Sequence, residues 1–226
     1  MKTIIHRLTI TFLIACLLGL AACSSEPKTA EEIIERSIKE SSKIPMHMNL
    51  LFQVPTASVG MDIAVDANSS EEANVSGKLA LVDEYQYMEE VIVGGEVFVK
   101  PFGASEWSRS TFSPSEALKQ FEAFDPDLLQ EVTLVGEEEF AIVNEGKIVS
   151  VPVYHIQAKM PIPRSLESLT SRLAMVGTMD INYYVAKETY LPLKLTGQYK
   201  LLLDTAELEV NYADWGKESI ITAPIP

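Results

Sequence analysis

The sequence has few of the residues that build disulfide frameworks, zinc sites or nucleic-acid surfaces. Only two cysteines and three histidines occur among its 226 residues, and a zinc site usually needs three or four such ligands at close spacing. Lysine and arginine number 18 against 32 aspartates and glutamates, which gives a net charge of -14. This balance argues against a nucleic-acid partner, because phosphate backbones are held by clustered basic side chains.

Sequence signatures of catalysis are missing as well. There is no Gly-x-Ser-x-Gly elbow, no phosphate-binding glycine loop and no His-Glu-x-x-His pair. His47 and His155 lie on different predicted strands, and the simplest interpretation of His155 is a strand residue that faces water or is hydrogen-bonded. The acidic run 137–139 could bind a cation, but a solvated hairpin edge is the more common role of such a run. We therefore predict that the protein is not an enzyme and uses no cofactor or metal.

The residues that are present indicate an ordinary folded domain. Hydrophobic residues make up 47% of the sequence and charged residues 22%, a balance typical of globular proteins of this length. A chain of this size buries enough surface for a sizeable core. No linker, repeat or low-complexity block divides residues 29–226, so we predict a single domain there.

The first 22 residues have the pattern of a secretory signal peptide. Lys2 and Arg7 precede an apolar stretch at residues 8–20. This stretch is too short to span a bilayer comfortably, which favours a signal peptide over an N-terminal transmembrane anchor. We expect residues 1–22 to be removed from the mature protein.

The end of this segment, Leu20-Ala21-Ala22-Cys23, resembles a bacterial lipobox. The resemblance implies that signal peptidase II recognises Leu20, Ala21 and Ala22, whose small side chains leave the bond before Cys23 accessible. Cys23 would then carry acyl chains such as palmitate, and residues 23–28 would be the lipidated N-terminus and a short linker. Each buried acyl methylene contributes about 0.8 kcal/mol, so two chains anchor a protein stably. We expect a lipid-anchored protein on the extracytoplasmic face of the cell membrane, or on an outer membrane if the source has one.

One helix and then a long run of strands are predicted after the linker. Thr29 and Glu32 form a potential capping box, and Ile33, Ile34 and Ile38 make one apolar stripe that ends before Pro45. Two further short helices are predicted, one beginning at Ser113 and containing Leu118, Phe121 and Phe124, the other beginning at Pro163.

From Met46 onward the hydrophobic period changes to two, over about ten or eleven segments. Residues 132–135 and 141–143 are predicted as separate strands, and Gly94-Gly95 as a tight hairpin turn. One apolar and one polar face per strand is typical of an antiparallel sheet exposed to water on one side. A sheet of this many strands curls. We therefore predict a mainly β (α+β) half-barrel of one antiparallel sheet, with three short helices over its apolar concave face.

Several short segments resemble the LolA/LppX-like bacterial lipoproteins, including the LppX and LprG types. They are the lipobox, residues 30–34, residues 46–48, residues 106–108 after the Gly-Gly hairpin, residues 187–194 and residues 221–224. The resemblance covers most of residues 29–224. It implies about eleven strands around an apolar cavity that holds acyl chains of a lipid or lipidated molecule in transit through the cell envelope, with an envelope transport protein as potential partner. The same fold also serves non-enzymatic sensor or scaffold lipoproteins that bind another protein, and this alternative stays open.

No binding residue is carried over from the resemblance, so the cavity-lining candidates come from the alternation of the strands. For each of them plain core packing is the alternative, because periodicity does not distinguish a filled core from an open cavity. The helix of Leu118, Phe121 and Phe124 is a candidate lid. The candidates for the cavity wall are Met48, Leu50, Phe52, Met61, Ile63, Leu79, Tyr183, Leu193, Leu195 and Tyr199.

Overall fold

The computed structural model describes most of the predicted domain. The described residues are 29–55, 59–69, 71–81, 84–101, 103–111, 113, 128–144, 147–161, 177–200 and 205–225. The predicted signal peptide, the lipobox with Cys23 and the linker lie outside them. So do the segments predicted as second and third helices, after Ser113 and from Pro163, including the candidate lid.

One helix, α1 (Ala30–Ser41), lies within the described part of the chain. Its predicted capping box is present: the Glu32 amide donates to the Thr29 hydroxyl over 3.2 Å, and the Thr29 amide donates to the Glu32 carboxylate over 3.3 Å. Ile33 and Ile34 are buried as predicted, but Ile38 is 36% exposed and Ser37 takes the buried position instead. Within the described ranges, no helix is long and apolar enough to cross a membrane.

The strands of the described chain form one sheet of eleven antiparallel strands. Most strands follow the predicted alternation, with one side facing the core and the other facing solvent. In β4, β5 and β8, residues on both sides are buried. They are β1 (Met46–Val54), β2 (Val59–Ser69), β3 (Glu72–Leu81), β4 (Glu84–Val93), β5 (Glu96–Lys100), β6 (Ser108–Arg109), β7 (Gln130–Asn144), β8 (Lys147–Pro161), β9 (Thr178–Ala186), β10 (Pro192–Lys200) and β11 (Thr205–Ala213).

The order across the sheet is β6-β5-β4-β3-β2-β1-β11-β10-β9-β8-β7, so the sheet is not closed and has β6 and β7 at its edges. Strands β1 to β6 and strands β7 to β11 are two meanders in which each strand pairs with its neighbour in sequence. The pairing of β1 with β11 joins the two meanders. The predicted curved, single antiparallel sheet of a mainly β protein is confirmed.

Two details of the predicted strands are corrected. Residues 132–135 and 141–143 belong to one long strand, β7, in which register shifts next to Thr133 and Gly136 interrupt the alternation. A bulge adds one residue to a strand without ending it. The alternation of apolar and polar residues then changes phase, and the sequence pattern wrongly indicates two strands. The Gly94-Gly95 turn is confirmed, with φ of 62° and 78° at the two glycines, a conformation that glycine adopts without a steric penalty.

Candidate functional site

The concave side of the sheet, here called the inner face, carries the main apolar cluster of the protein. Direct cross-strand pairs put Met48 beside Val65 and Leu50 beside Ile63 on this face. Helix α1 also belongs to the cluster, through Ile33 and Ile34. The cluster contains the candidates Met48, Leu50, Phe52, Met61, Ile63, Tyr183 and Leu195, and Tyr199 packs against it half-buried.

One of the sequence candidates, Leu193, lies outside this cluster. The β10 register shifts between Pro192 and Lys194, so Pro192 is buried whereas Leu193 is only half-buried and outside the cluster. A one-residue shift exchanges the two faces of a strand, which is why the shared parity predicted for Leu193 and Leu195 does not hold. Leu79 is paired with Met61, but its side chain lies outside the described part of the structure.

The inner face over β1 and β10 is tightly packed. Leu50, Phe52 and Leu195 have no exposed surface, so no space as large as a water molecule adjoins them. The Ser37 hydroxyl lies 2.9 Å from the Tyr183 hydroxyl in a buried hydrogen bond. Burial raises the pKa of Tyr183, with the Ser37 bond acting in the opposite direction, so this phenol stays neutral. The helix is therefore fixed to the sheet by both apolar packing and a polar contact.

Methionine is concentrated on the inner face. All six methionines of the described part belong to the apolar cluster or pack against it: Met46, Met48, Met61, Met88, Met160 and Met179. Met88 Cγ lies 3.4 Å from where a Cβ on Gly77 would be, and Met179 Cε lies 3.0 Å from the same position on Gly197. These flexible side chains fill the spaces that the two glycines leave. Because methionine adapts to irregular and changing surfaces, the wall can change shape without losing its apolar character.

The inner face over β3 to β5 has smaller side chains than the part over β1 and β10. We call it the small-residue floor; the residues that define it are Ala73, Val75, Gly77, Val97 and Val99. Glu90 stands in the middle of this floor, paired directly with Val75 on one side and Val99 on the other. Met88 and Ile92 flank it on its own strand.

Glu90 is the unusual group of the inner face. It is 5% exposed, and its Oε1 atom has no hydrogen-bond partner among the described residues. Burial raises its pKa from 4.5 to about 7, because a carboxylate there loses water without gaining a cation. At neutral pH this carboxyl is therefore partly protonated.

The charged residues beside the small-residue floor point to the opposite, outer face. Lys100 pairs with Glu89 over 2.8 Å, and Arg109 pairs with Glu96 over 3.0 Å. These pairs alternate in register with the residues of the floor, so none of them faces Glu90. Apart from Glu90, the described side chains of the inner face over β3 to β5 are apolar.

The outer face holds His155 in a structural network. Its Nδ1 atom lies 2.7 Å from Glu138 and its Nε2 atom 2.8 Å from Asn182, and its ring stacks on Tyr184. The hydrogen-bonded strand residue predicted for His155 is confirmed. The acidic run at 137–139 is exposed on β7, at the edge of the sheet. No group of three metal-ligating side chains occurs in the described part of the chain.

Sequence reasoning did not select Glu90, although a signal was present. Ile92 is opposite Val97 in the Gly94-Gly95 hairpin, and the period of two then places Glu90 and Met88 on the same face as Ile92. The short apolar run after Glu90 concealed this, because Val91 and Ile92 are both buried although they lie on opposite faces.

The comparisons with known proteins concern the fold. No protein-family model matches the sequence, and no curated protein matches it. Among solved structures, LprF from Mycobacterium bovis is similar with a TM-score of 0.50 at 11% identity, over 86% of this chain and 96% of that chain.

Two other solved structures are similar at lower scores. MucB, in a Pseudomonas aeruginosa MucA/MucB complex, has a TM-score of 0.43 at 13% identity, over 84% of this chain and 58% of that chain. The LolA superfamily protein NE2245 from Nitrosomonas europaea has a TM-score of 0.29 at 10% identity, over 86% of this chain and 96% of that chain. From its eleven-stranded unclosed sheet and its similarity to LprF, we conclude that the chain has a LolA/LppX-like fold.

Proposed function

We propose that the protein is a bacterial envelope lipoprotein that holds the acyl chains of a lipid or lipidated molecule against its inner face. It carries or presents this ligand in the cell envelope. The observation that supports the proposal most directly is the apolar, methionine-rich inner face of an unclosed curved sheet. Ligand pockets are mostly apolar surfaces with a few polar groups, and the inner face with Glu90 fits this description.

The energetics of transfer need no cofactor. Moving an acyl chain out of a bilayer costs about 0.8 kcal/mol per methylene, and its burial against an apolar protein surface recovers a similar amount. Exchange between membrane and protein is then nearly balanced, and a partner or a concentration gradient sets its direction. Side chains that adapt, such as methionine, suit a ligand whose chains vary in length.

Acylation of Cys23 is the second part of the proposal. The net charge of -14 repels the protein from anionic headgroups. A lipid anchor is therefore needed to hold the domain near the bilayer, which is the source of its ligand. The short linker at residues 24–28 keeps the domain close to that surface.

The second candidate function is a sensor or scaffold that binds another protein. It is favoured by the β7–β8 hairpin, where Val135, Ile148 and Val149 are 49%, 80% and 40% exposed. β7 is also an edge strand of 15 residues, and such an edge can pair with a strand of a partner. The acidic run at 137–139 lies on this edge, and charges there oppose such pairing.

Native mass spectrometry separates the two functions. Residues 24–226 are produced in a bacterial periplasm without Cys23 and weighed before and after organic extraction. Discrete adducts in the mass range of phospholipids or glycolipids, released on denaturation, are expected for an acyl-chain carrier. A mass without adducts, unchanged after incubation with host lipid extract, contradicts the carrier function. In that case crosslinking in intact membranes should identify the protein partner.

Filling the small-residue floor should reduce lipid binding. In Gly77→Leu the new side chain projects onto the inner face, where its Cβ would lie 3.4 Å from Met88. We expect at least a fivefold fall in bound lipid per protein in the same mass measurement, because the added side chain takes up volume over the floor. The matched control is Ser76→Leu, the exposed neighbour on the outer face, which should keep its lipid. Equal lipid content in both variants would place the ligand elsewhere.

A further inference from the structure

We propose that Glu90 determines which ligand the inner face accepts, by donating a hydrogen bond to the carbonyl oxygen of an ester or amide on the ligand. This proposal rests on the proposed function, and it adds a chemical requirement: the acyl chain must bring a carbonyl group to the small-residue floor. The protonated carboxyl of Glu90 donates the hydrogen bond to the carbonyl oxygen, and no covalent bond is formed or broken.

The geometry gives the first part of the argument. Glu90 is the buried acidic residue of the described chain, and it lies among Val75, Val99 and Ile92. Its Oε1 atom is inaccessible to water and has no hydrogen-bond partner among the described residues. A buried polar group without a partner is costly, so such a group often marks a place where a ligand supplies the partner.

The neighbouring side chains give the second part. Gly77 is diagonal to Glu90 and has no side chain, and Ala73 on the other diagonal is small. Met88 occupies the space that Gly77 leaves, and this flexible side chain can change rotamer to let an acyl chain approach the sheet here. A carbonyl group on such a chain would then come within reach of the Glu90 carboxyl.

The chemistry of the partner follows from the charges around the site. A cationic headgroup would form an ion pair buried among apolar residues, and such pairs rarely recover the cost of desolvation. On β3 and β5, Lys78, Glu96 and Lys100 alternate with the floor and face outward, as does Glu89 on β4. Glu84 is six residues from Glu90 on β4, about 20 Å along the strand. Among the described residues of β3 to β5 no cation faces Glu90, and burial raises its pKa to about 7, so the neutral acid is available as a donor.

The test compares two uncharged probes that differ in one carbonyl group. Monopalmitoylglycerol has an ester carbonyl, and its ether analogue hexadecylglycerol has none. Dissociation constants are measured by native mass spectrometry titration of residues 24–226, at about pH 5.5 and about pH 8.5. The variants are Glu90→Gln, Glu90→Leu and, as matched control on the outer face, Glu89→Gln.

At the lower pH, the wild-type protein and the control should bind the ester about tenfold more tightly than the ether, the contribution of one hydrogen bond. At the higher pH this preference should fall, because the carboxylate cannot donate. Glu90→Gln should keep the preference at both pH values through its amide hydrogens, and Glu90→Leu should bind both probes equally. Binding of both probes with no preference in the wild type, or an unchanged preference in Glu90→Leu, overturns the role of Glu90. Failure of every variant to bind either probe overturns the proposed function as well.

Discussion

The burial of Glu90 among valine, alanine and glycine links the stability of the protein to pH. Burial raises the pKa of Glu90 from 4.5 to about 7, so the folded state binds this proton more tightly than the unfolded state does. Stability from this group is fully present below about pH 4.5 and is lost as the pH rises toward and through 7. Because the protein is otherwise acidic, neutral pH adds charge repulsion in the same direction.

Glu90→Gln should therefore remove one pH dependence of folding. At pH 8 we expect the variant to be more stable than the wild type by on the order of 3 kcal/mol, the equivalent of the pKa shift. At pH 4 the two should be nearly equal, because the wild-type carboxyl is then protonated. Urea unfolding at both pH values measures this. A stability difference that is the same at pH 4 and pH 8 would show that Glu90 does not titrate with a raised pKa.

The helix α1 is held on the sheet by a mixture of apolar and polar contacts. Ile33 and Ile34 pack into the inner-face cluster, and Arg36 lies 3.8 Å from the centre of the Tyr190 ring, a distance at which a cation and an aromatic ring attract. The hydrogen bond between Ser37 and Tyr183 is the buried polar contact of this interface. If only the isoleucines determined the buried side of α1, Ile38 would face the sheet. The buried residues are instead at positions 30, 33, 34 and 37, so Ser37 takes that place.

Breaking the hydrogen bond between Ser37 and Tyr183 should lower the free energy of unfolding. Removing both hydroxyls should cost little more than removing one. Tyr183→Phe leaves the buried Ser37 hydroxyl without the partner it has in the structure, and we expect a loss of about 1–3 kcal/mol. Adding Ser37→Ala should cost little more, because the stranded hydroxyl is then removed. Chemical denaturation of both single variants and the double variant forms the cycle, with Glu35→Ala at an exposed position of α1 as control. Strictly additive losses would contradict a direct interaction between the two residues.

The elements themselves were predictable to different degrees. The Gly94-Gly95 hairpin and the capping box at Thr29 are local, because residues two or three apart in sequence specify them. The bulges in β7 and β10 were not predictable, since the partner strand determines where an extra residue is accommodated. Leu193 shows the consequence: its parity agrees with Leu195 in the sequence, yet the bulge moves it out of the inner-face cluster.

At the scale of the whole molecule, the proposed lipid anchor and the folded domain would have separate tasks. The domain is acidic, with a net charge of -14 over the full sequence, and its described part contains no helix suited to cross a bilayer. We propose that the acyl chains predicted at Cys23 attach the protein to the membrane.

Cys23→Ala should release the protein from the membrane without unfolding it. Full-length wild type and variant are expressed in a bacterium, and the cells are labelled with radioactive palmitate and fractionated. We expect the label and the membrane association to be lost in the variant, because Cys23 is the proposed attachment site. Cys16→Ala, within the predicted signal peptide, is the matched control and should remain labelled. Membrane association of an unlabelled Cys23→Ala protein would indicate a different anchor.

By itself, the sequence determined the sheet-rich class, the position of most strands and the inward direction of residues such as Leu50, Phe52 and Ile63. These features depend on local alternation, which the chain carries with it. Only the tertiary structure decided that β1 pairs with β11 and that Glu90 lies buried on the inner face. The pairing joins residues far apart in sequence, so no local pattern specifies it. The burial of a carboxyl depends on what covers it, since the same alternation fits a glutamate in water and a glutamate inside an apolar face.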